Sequence, residues 1–167
     1  MMKSTLLVAS LVLAVGVAAP MGCESSNKSA SASAPAKKGG KTLYQRLGGE
    51  AAIKAVVNDF VNNSAGDPAV NFTRKGEGMK EWNATPEAVE RLKMLLVEQI
   101  GEAAGGPQKY TGRDMKTVHK GMNITNDQFN AMATQLTLSL KRFGVADADA
   151  AELIAVVAGM RGDIVGQ

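Results

Sequence analysis

The chain contains a single histidine, His119, and this residue limits the chemistry that the sequence can support. Lys116 and Lys120 flank it, and the only cysteine, Cys23, lies far from it along the chain. Structural and hydrolytic zinc sites need three or four Cys, His or carboxylate ligands held together. One histidine and one remote cysteine do not supply such a set, so the sequence predicts no zinc site.

Hydrolytic and nucleotide chemistry find little support in the rest of the sequence. A Ser-His-Asp triad needs only one histidine, but no GxSxG-type turn is present, and the neighbouring lysines disfavour the imidazolium that such a reaction forms. The phosphate-binding patterns GxGxxG and GxxxxGKS/T are also absent. Acidic residues are present, but no pair stands out as the two carboxylates of a glycosidase.

Haem chemistry is compatible with one imidazole. The porphyrin supplies four nitrogen ligands to the iron, so one neutral imidazole completes one side and leaves the sixth position open for a diatomic gas. The protein must then provide an apolar slot for a flat ring. The chain has 45% hydrophobic and only 4% aromatic residues, so its core must be built from Ala, Val, Leu, Ile and the nine Met. Composition and spacing permit a haem site without demonstrating one.

The residues from about Thr42 onward are predicted to form helices joined by turns. Apolar residues recur at intervals of three and four, and no segment alternates between apolar and polar side chains as a half-buried strand does. Turn and capping residues mark the expected helix boundaries. These are an end at Gly66-Asp67-Pro68, a start at Thr85-Pro86, an end at Gly105-Gly106-Pro107, and a start at the capping box of Thr125 and Gln128. The predicted fold class is all-α.

Three of the predicted helices carry apolar stripes, and Leu92, Leu96 and Ile100 of one helix with Phe129, Met132 and Leu136 of another could line a slot for a flat ring. The helix after Pro86 carries Val89, Leu92, Leu96 and Ile100. The helix after Thr125 carries Phe129, Met132, Leu136, Leu140 and Phe143, and the last helix is expected to carry Leu153, Val156, Val157, Met160 and Ile164. Ordinary core residues follow the same spacing, so the stripes alone do not distinguish the two uses.

The N-terminal residues are typical of an export signal. Lys3 precedes an apolar run from Leu6 to Ala19, which is shorter than the about 20 residues of a membrane-spanning helix. Small residues then lead to Cys23, as they do at the acylated cysteine of bacterial lipoproteins, although Pro20 stands where such signals usually have leucine. We therefore expect an exported lipoprotein anchored to a membrane of a bacterial cell envelope through Cys23. Ordinary cleavage near Ala19, with an unmodified thiol, is the alternative.

Residues 23–41 are expected to form a flexible tether between the export signal, residues 1–22, and a folded domain, residues 42–167. Ser, Ala, Lys and Gly predominate in the tether and bury too little apolar surface to fold. Its four lysines and one glutamate carry +3 and Lys3 carries one more charge, so of the chain's net +3 the folded domain retains −1. Nucleic-acid binding is therefore not predicted, because the excess of basic residues lies outside the domain.

Several sequence blocks from Leu43 onward resemble the truncated haemoglobins, most closely group I, which have a two-over-two helical variant of the globin fold. Their order and spacing agree over about three quarters of the chain. The blocks are LYQRLGG at 43–49, IKAVVNDF at 53–60 followed by Asp67-Pro68, GGPQKYTGRDM at 105–115, VHKGMNIT at 118–125 and LKRFGV at 140–145. The block around His119 is the most specific of them. The resemblance implies a truncated globin domain at residues 42–167.

Carried over by residue, the resemblance implies a haem cofactor with His119 as the proximal ligand of the iron. With one histidine in the chain, ligation by two histidines of the same chain is excluded. The resemblance also implies a set of apolar residues in contact with the porphyrin. These are Met115, Val118, Phe129, Met132, Leu136 and Val157.

The opposite, distal side departs from the usual pattern of the family. A tyrosine usually follows the phenylalanine of the second helix and hydrogen-bonds bound dioxygen, but here Phe60 is followed by Val61. The usual polar residue on the facing helix corresponds to Leu92 and Leu96. With Ile100, these residues predict a distal pocket without a hydrogen-bond donor, which should hold dioxygen weakly relative to carbon monoxide.

Two functional classes remain open at this point. The first is a membrane-tethered haem protein that binds O2, NO or CO for oxygen transport, sensing or redox removal of nitric oxide, with an electron donor that the sequence does not identify. The second is a lipoprotein in which a globin-like helical body has lost haem and acts as a binding or structural module. The two classes differ in whether the purified protein takes up supplied haem.

Overall fold

A computed structural model describes residues 40–75 and 81–167 of the chain. The predicted export signal, Cys23 and most of the tether lie outside the described residues. Within them the structure is helical, and the only paired extended residues are Ile124 and Val165, which form an isolated bridge. The helices are α1 (Leu43–Arg46), α2 (Gly49–Gly66), α3 (Pro86–Ala103), α4 (Met115–His119), α5 (Asn126–Arg142) and α6 (Asp147–Gly159), and a 3-10 turn at Arg161–Asp163 follows. The all-α prediction is confirmed.

The helices begin and end close to the predicted punctuation. α2 ends at Gly66, where the Asp67 amide donates to the Ser64 carbonyl, and Pro68 follows. At the start of α3 the Thr85 hydroxyl accepts a hydrogen bond from the Ala88 amide. These caps satisfy backbone groups that have no partner within the helix. The boundaries therefore follow from local chemistry.

The predicted capping box at the start of α5 is also confirmed. The Gln128 amide donates to the Thr125 hydroxyl over 3.2 Å, and the Thr125 amide donates to the Gln128 side chain over 3.0 Å. Two backbone donors are satisfied reciprocally in this way.

α2 is the central helix of the fold. α2 packs against α3 and against α5, and α5 packs against α6. The short helix α1 contacts α2 and α6, and Arg46 holds it there through an ion pair with Asp149 at 2.7 Å. In the described part of the chain no helix is long and apolar enough to cross a membrane. The buried core includes Ile53, Val57, Phe60, Val61, Phe129, Leu136, Leu140 and Leu153.

The end of the last helix differs from the sequence-based prediction. α6 stops at Gly159, so Met160 is its C-cap and Ile164 lies beyond the 3-10 turn. Gly159 and Gly162 favour this early end because glycine is a poor helix former. Phe143 also leaves the predicted stripe of α5, since it is the C-cap of that helix and is 47% exposed.

Candidate functional site

His119 is the last residue of α4, and its ring is held by its own helix. Nδ1 lies 2.7 Å from the carbonyl oxygen of Met115, one turn earlier. A carbonyl can only accept a hydrogen bond, so Nδ1 carries the proton and Nε2 carries the lone pair. Burial lowers the pKa of His119. The ring is therefore neutral at neutral pH and presents Nε2 as a potential metal ligand.

Asp114 caps the short helix that carries His119. Its carboxylate accepts a hydrogen bond from the Thr117 amide over 2.9 Å. Hydrogen bonding with Thr117 lowers the pKa of Asp114. A five-residue helix has little stability of its own, so caps and neighbouring contacts must hold it in place.

Two glutamates of α3 hold the connection that leads to α4. The Glu102 carboxylate accepts from the Tyr110 amide over 2.9 Å, and Glu98 accepts from the amide and hydroxyl of Thr111. The Tyr110 ring lies so close to Gly112 that a Cβ there would come within 2.3 Å of it. Glycine at position 112 is thus required by space. These contacts hold the start of the segment that leads to α4 against α3.

On the other side of α4, Arg74 ties the α2–α3 connection to the segment after His119. Arg74 is buried, and it donates to the Met122 carbonyl over 2.5 Å and to the Gln128 side chain over 2.9 Å. Phe72 and Trp82, in the same connection, form an edge-to-face pair with ring centroids 5.4 Å apart. The connection is therefore anchored against the segment after α4 and against α5.

The C-terminal residues close the same region. The Asn123 amide donates to the Gln167 carbonyl over 2.9 Å, and the Gly166 amide donates to the Ile124 carbonyl over 3.0 Å. The segment after His119 is thus hydrogen-bonded both to Arg74 and to the C-terminal residues.

The apolar residues predicted to line a slot fall into two groups by exposure. Five of them are only half-buried although they are apolar, namely Leu92, Leu96, Met115, Val118 and Met132. They come from α3, α4 and α5, and α4 contains no fully buried residue at all. Helices α3 and α4 therefore present apolar faces that their neighbours do not cover completely.

The second group is enclosed in the core. It contains Val61, Ile100, Phe129, Leu136 and Val157, each less than 9% exposed. Ile100 packs near Leu47, Ile53 and Leu153 around a small cavity of about 10 Å³. It lies about 12 Å along α3 from Leu92, since a helix rises about 1.5 Å per residue. Its assignment to a distal pocket stays a prediction, as do the other site assignments.

A separate cavity lies away from the predicted site residues. It is a groove of about 420 Å³ between α2 and α3, and none of the predicted site residues lines it. Charged residues border it. Among them, Lys54 forms an ion pair with Glu50, and Lys93 forms one with Glu90. The groove therefore lies apart from His119 and from the apolar residues predicted to contact a cofactor.

The comparisons with known proteins agree with this arrangement. The model of the bacterial-like globin family matches residues 42–165. The chain belongs to this family. Among curated relatives, the group 1 truncated haemoglobin of Tetrahymena pyriformis is 36% identical over 76% of this chain and 97% of its own length. The group 1 truncated haemoglobin of Mycolicibacterium paratuberculosis is 32% identical over 74% of this chain and 83% of its own length.

Solved structures show the same fold for this globin. The truncated haemoglobin of Tetrahymena pyriformis in its Fe(III) form has a TM-score of 0.65, is 31% identical, and is covered completely by 76% of this chain. A 2/2 haemoglobin from a Synechococcus species has a TM-score of 0.61 at 25% identity, over 75% of this chain and 98% of its own. The globin therefore has the two-over-two fold, with α2 and α3 as one pair and α5 and α6 as the other.

The family assignment means that the chain is a haem globin that binds a diatomic gas. The described residues fit this cofactor. A neutral imidazole with an Nε2 lone pair stands at the end of α4, and the half-buried Leu96 of α3 and Met115 of α4 pack against the same buried core. A flat ring with apolar faces would cover the surface that these helices leave partly exposed.

Two polar side chains with unpartnered atoms, one on α3 and one on α2, were not predicted from the sequence. Gln99, on α3, has an amide oxygen that is enclosed and forms no hydrogen bond. Ser64, on α2, is fully buried with an unpartnered hydroxyl, one turn after Val61. A signal for Gln99 exists in the sequence, because it continues the stripe of Leu92 and Leu96 at helical spacing. No sequence pattern indicates that Ser64 is unpartnered.

Proposed function

We propose that Nε2 of His119 would hold one haem in this globin and that this haem would bind a diatomic gas. The observation that carries the proposal is the 2.7 Å hydrogen bond between His119 Nδ1 and the Met115 carbonyl. That bond sets the tautomer and the ring orientation before any cofactor binds, as outer hydrogen bonds do for metal-ligating histidines. When bound, haem supplies an iron centre that takes O2, NO or CO.

The apolar residues on both sides give the cofactor a dry environment. Leu92 and Leu96 on α3 and Met115 and Val118 on α4 are half-buried, and covering them with a porphyrin removes apolar surface from water. Leu96 and Met115 pack against the buried core that contains Phe129. These side chains bind, orient and exclude water, and His119 supplies the single protein ligand.

Gas binding is the function that this arrangement supports best. Oxygen transport, gas sensing and removal of nitric oxide all begin with this step. Removal of nitric oxide also needs an electron donor, and the binding proposal does not depend on one.

The test is a haem titration of the purified full-length chain, followed by absorption spectroscopy. We expect a Soret band that saturates at one haem per chain and a further spectral change when carbon monoxide is added to the reduced protein. Lack of saturable uptake would instead support the haem-free structural module. Uptake of several haems per chain would indicate non-specific adsorption and would contradict the proposal.

We further propose that the globin is exported and held at a bacterial membrane by an acylated Cys23. The support is the sequence alone, in which Lys3, the apolar run from Leu6 to Ala19 and the small residues before Cys23 follow the order of a lipoprotein signal. A tether from Glu24 to Lys41 would then separate the lipid from the globin domain.

A further inference from the structure

Gln99 interrupts the apolar face of α3 that is predicted to line the distal pocket. Leu92, Leu96 and Gln99 are spaced by four and three residues, so they lie on one side of the helix. The expectation of a distal side without a hydrogen-bond donor rested on Val61, Leu92, Leu96 and Ile100. Gln99, by contrast, carries a side-chain amide that can donate a hydrogen bond.

The amide of Gln99 is only partly satisfied where it lies. Its oxygen is enclosed and has no hydrogen-bond partner. Its nitrogen donates to the sulfur of Met160 over 3.3 Å, and a thioether is a weak acceptor. If the Gln99 amide is rotated so that its nitrogen and oxygen exchange places, one of the two atoms still lacks a hydrogen-bond partner. A buried polar group in this state destabilises the fold.

The contact between Gln99 and Met160 lies where two predicted haem-facing surfaces converge. Met160 follows Val157 by one turn at the end of α6, and Gln99 follows Leu96 by one turn on α3. Met160 is itself half-buried against the core. A polar group that is enclosed between apolar faces, and poorly paired there, is typical of a position that a ligand completes.

We propose that Gln99 is the distal hydrogen-bond donor of this globin and that its amide nitrogen turns from Met160 to the bound gas. This inference rests on the proposed haem ligation by His119. Dioxygen gains negative charge when it binds to ferrous haem and carbon monoxide gains much less, so the donor stabilises dioxygen selectively. The distal pocket of the wild type then contains one hydrogen-bond donor. Substitution of Gln99 by an apolar residue removes this donor.

The first test compares gas release from the haem-loaded full chain and from Gln99→Leu. We expect dioxygen to leave about tenfold faster or more in the variant, because one charge-assisted hydrogen bond is lost. Release of carbon monoxide should change much less, and the C–O stretching frequency of the carbon monoxide complex should shift with loss of the donor. Gln99→Met, which keeps the length of the side chain, should reproduce these effects if Gln99→Leu folds poorly.

Gln108→Leu is the matched control. Gln108 also has an enclosed amide oxygen without a partner, but it lies in the α3–α4 connection, where its nitrogen donates to the Tyr44 hydroxyl. Its substitution should leave the C–O stretching frequency and the ratio of the two release rates unchanged. Ser64→Ala should leave them unchanged as well, and a selective change in Ser64→Ala instead of Gln99→Leu would overturn the proposal.

A second measurement needs no haem. In the haem-free chain, Gln99→Leu removes the unpaired amide, so we expect its Tm to rise by about 2–4 °C. The proposal is overturned if dioxygen release from Gln99→Leu equals that of the wild type, or if release of dioxygen and of carbon monoxide changes by the same factor. It is also overturned if Gln99→Leu and Gln99→Met are both less stable than the wild type without haem. If the wild type takes up no haem, it is the proposed function that fails; if it takes up haem and Gln99→Leu behaves as wild type, only this inference fails.

Discussion

Val61, which by the family resemblance takes the place of a distal tyrosine, is tightly packed in the core. It is 1% exposed and belongs to the core of α2 together with Val57 and Phe60. A donor placed at this position must therefore displace other side chains. The chain has this tightly packed valine on α2 and the polar side chain of Gln99 on α3.

We predict that Val61→Tyr lowers the stability of the haem-free globin by about 1–3 kcal/mol, because a larger side chain overpacks the core. The measurement is the midpoint of urea unfolding, with Val61→Ile as a control that adds a single methylene. Wild-type stability in Val61→Tyr would show that the distal side has room for a phenol ring, as the family resemblance alone would suggest.

Residue types could be read from the sequence, but their pairing could not. His119 was identified from the sequence block that surrounds it, and the hydrogen bond to Met115 within α4 is consistent with a ligating role. The unpartnered atoms of Gln99 and Ser64 depend on which helices meet there. That is a tertiary property, so helical periodicity does not encode it.

At the scale of the helices, local chemistry decided where prediction succeeded. The end of α2 before Pro68 and the capping box at Thr125 depend on residues within one turn of each other, and both were predicted. The end of α6 at Gly159 was not, because the apolar spacing continues to Ile164 while the backbone turns away. Spacing alone cannot separate a helix from a turn that returns to the same core.

The cap of α4 should influence how long the globin keeps its haem. Asp114→Ala removes the acceptor of the Thr117 amide, so the helix that carries His119 frays more often. We expect haem dissociation to become a few times faster, as measured by transfer to an excess of apomyoglobin. Asp114→Asn, which can still cap, should remain close to wild type. Equal rates in all three proteins would contradict a role for the cap.

The α3–α4 connection should loosen in acid. A hydrogen bond from the Tyr110 amide is the main cause that lowers the pKa of Glu102, and Lys109 adds to it. Because the folded-state pKa lies below the unfolded one, about 4.3, the stabilisation is complete above that pH and is lost as the pH falls through the folded-state pKa. We expect the Tm of Glu102→Gln to fall less steeply than that of wild type between about pH 5 and 3. Parallel curves would show that Glu102 does not contribute.

At the scale of the whole molecule, charge and composition separate the globin from what precedes it. The lysines of residues 24–41 account for the basic character of the chain, whereas residues 42–167 carry a net −1. The sequence-based division into a tether and a folded domain stays a prediction, and this difference in charge is the basis for it. The tether would reach at most about 60 Å if fully extended.

We predict that the wild-type protein partitions into membranes when it is expressed in a bacterium that processes lipoproteins. Cys23→Ser should release it into the soluble fraction or leave the precursor unprocessed, since the serine hydroxyl does not accept the thioether-linked lipid. Ser25→Ala, two residues away, is the control and should partition as wild type does. Soluble wild-type protein with its mature N-terminus before Cys23 would refute the anchor.

Ligation by His119 is the claim on which the account of the whole molecule depends, and the absorption spectrum of His119→Ala tests it most directly. No second histidine is present in the chain to replace the missing imidazole. We predict that the variant keeps the far-ultraviolet circular dichroism of a helical protein but loses tight haem retention and the wild-type Soret band. A variant that retains haem with the same Soret band and the same coordination state as the wild type would contradict the account.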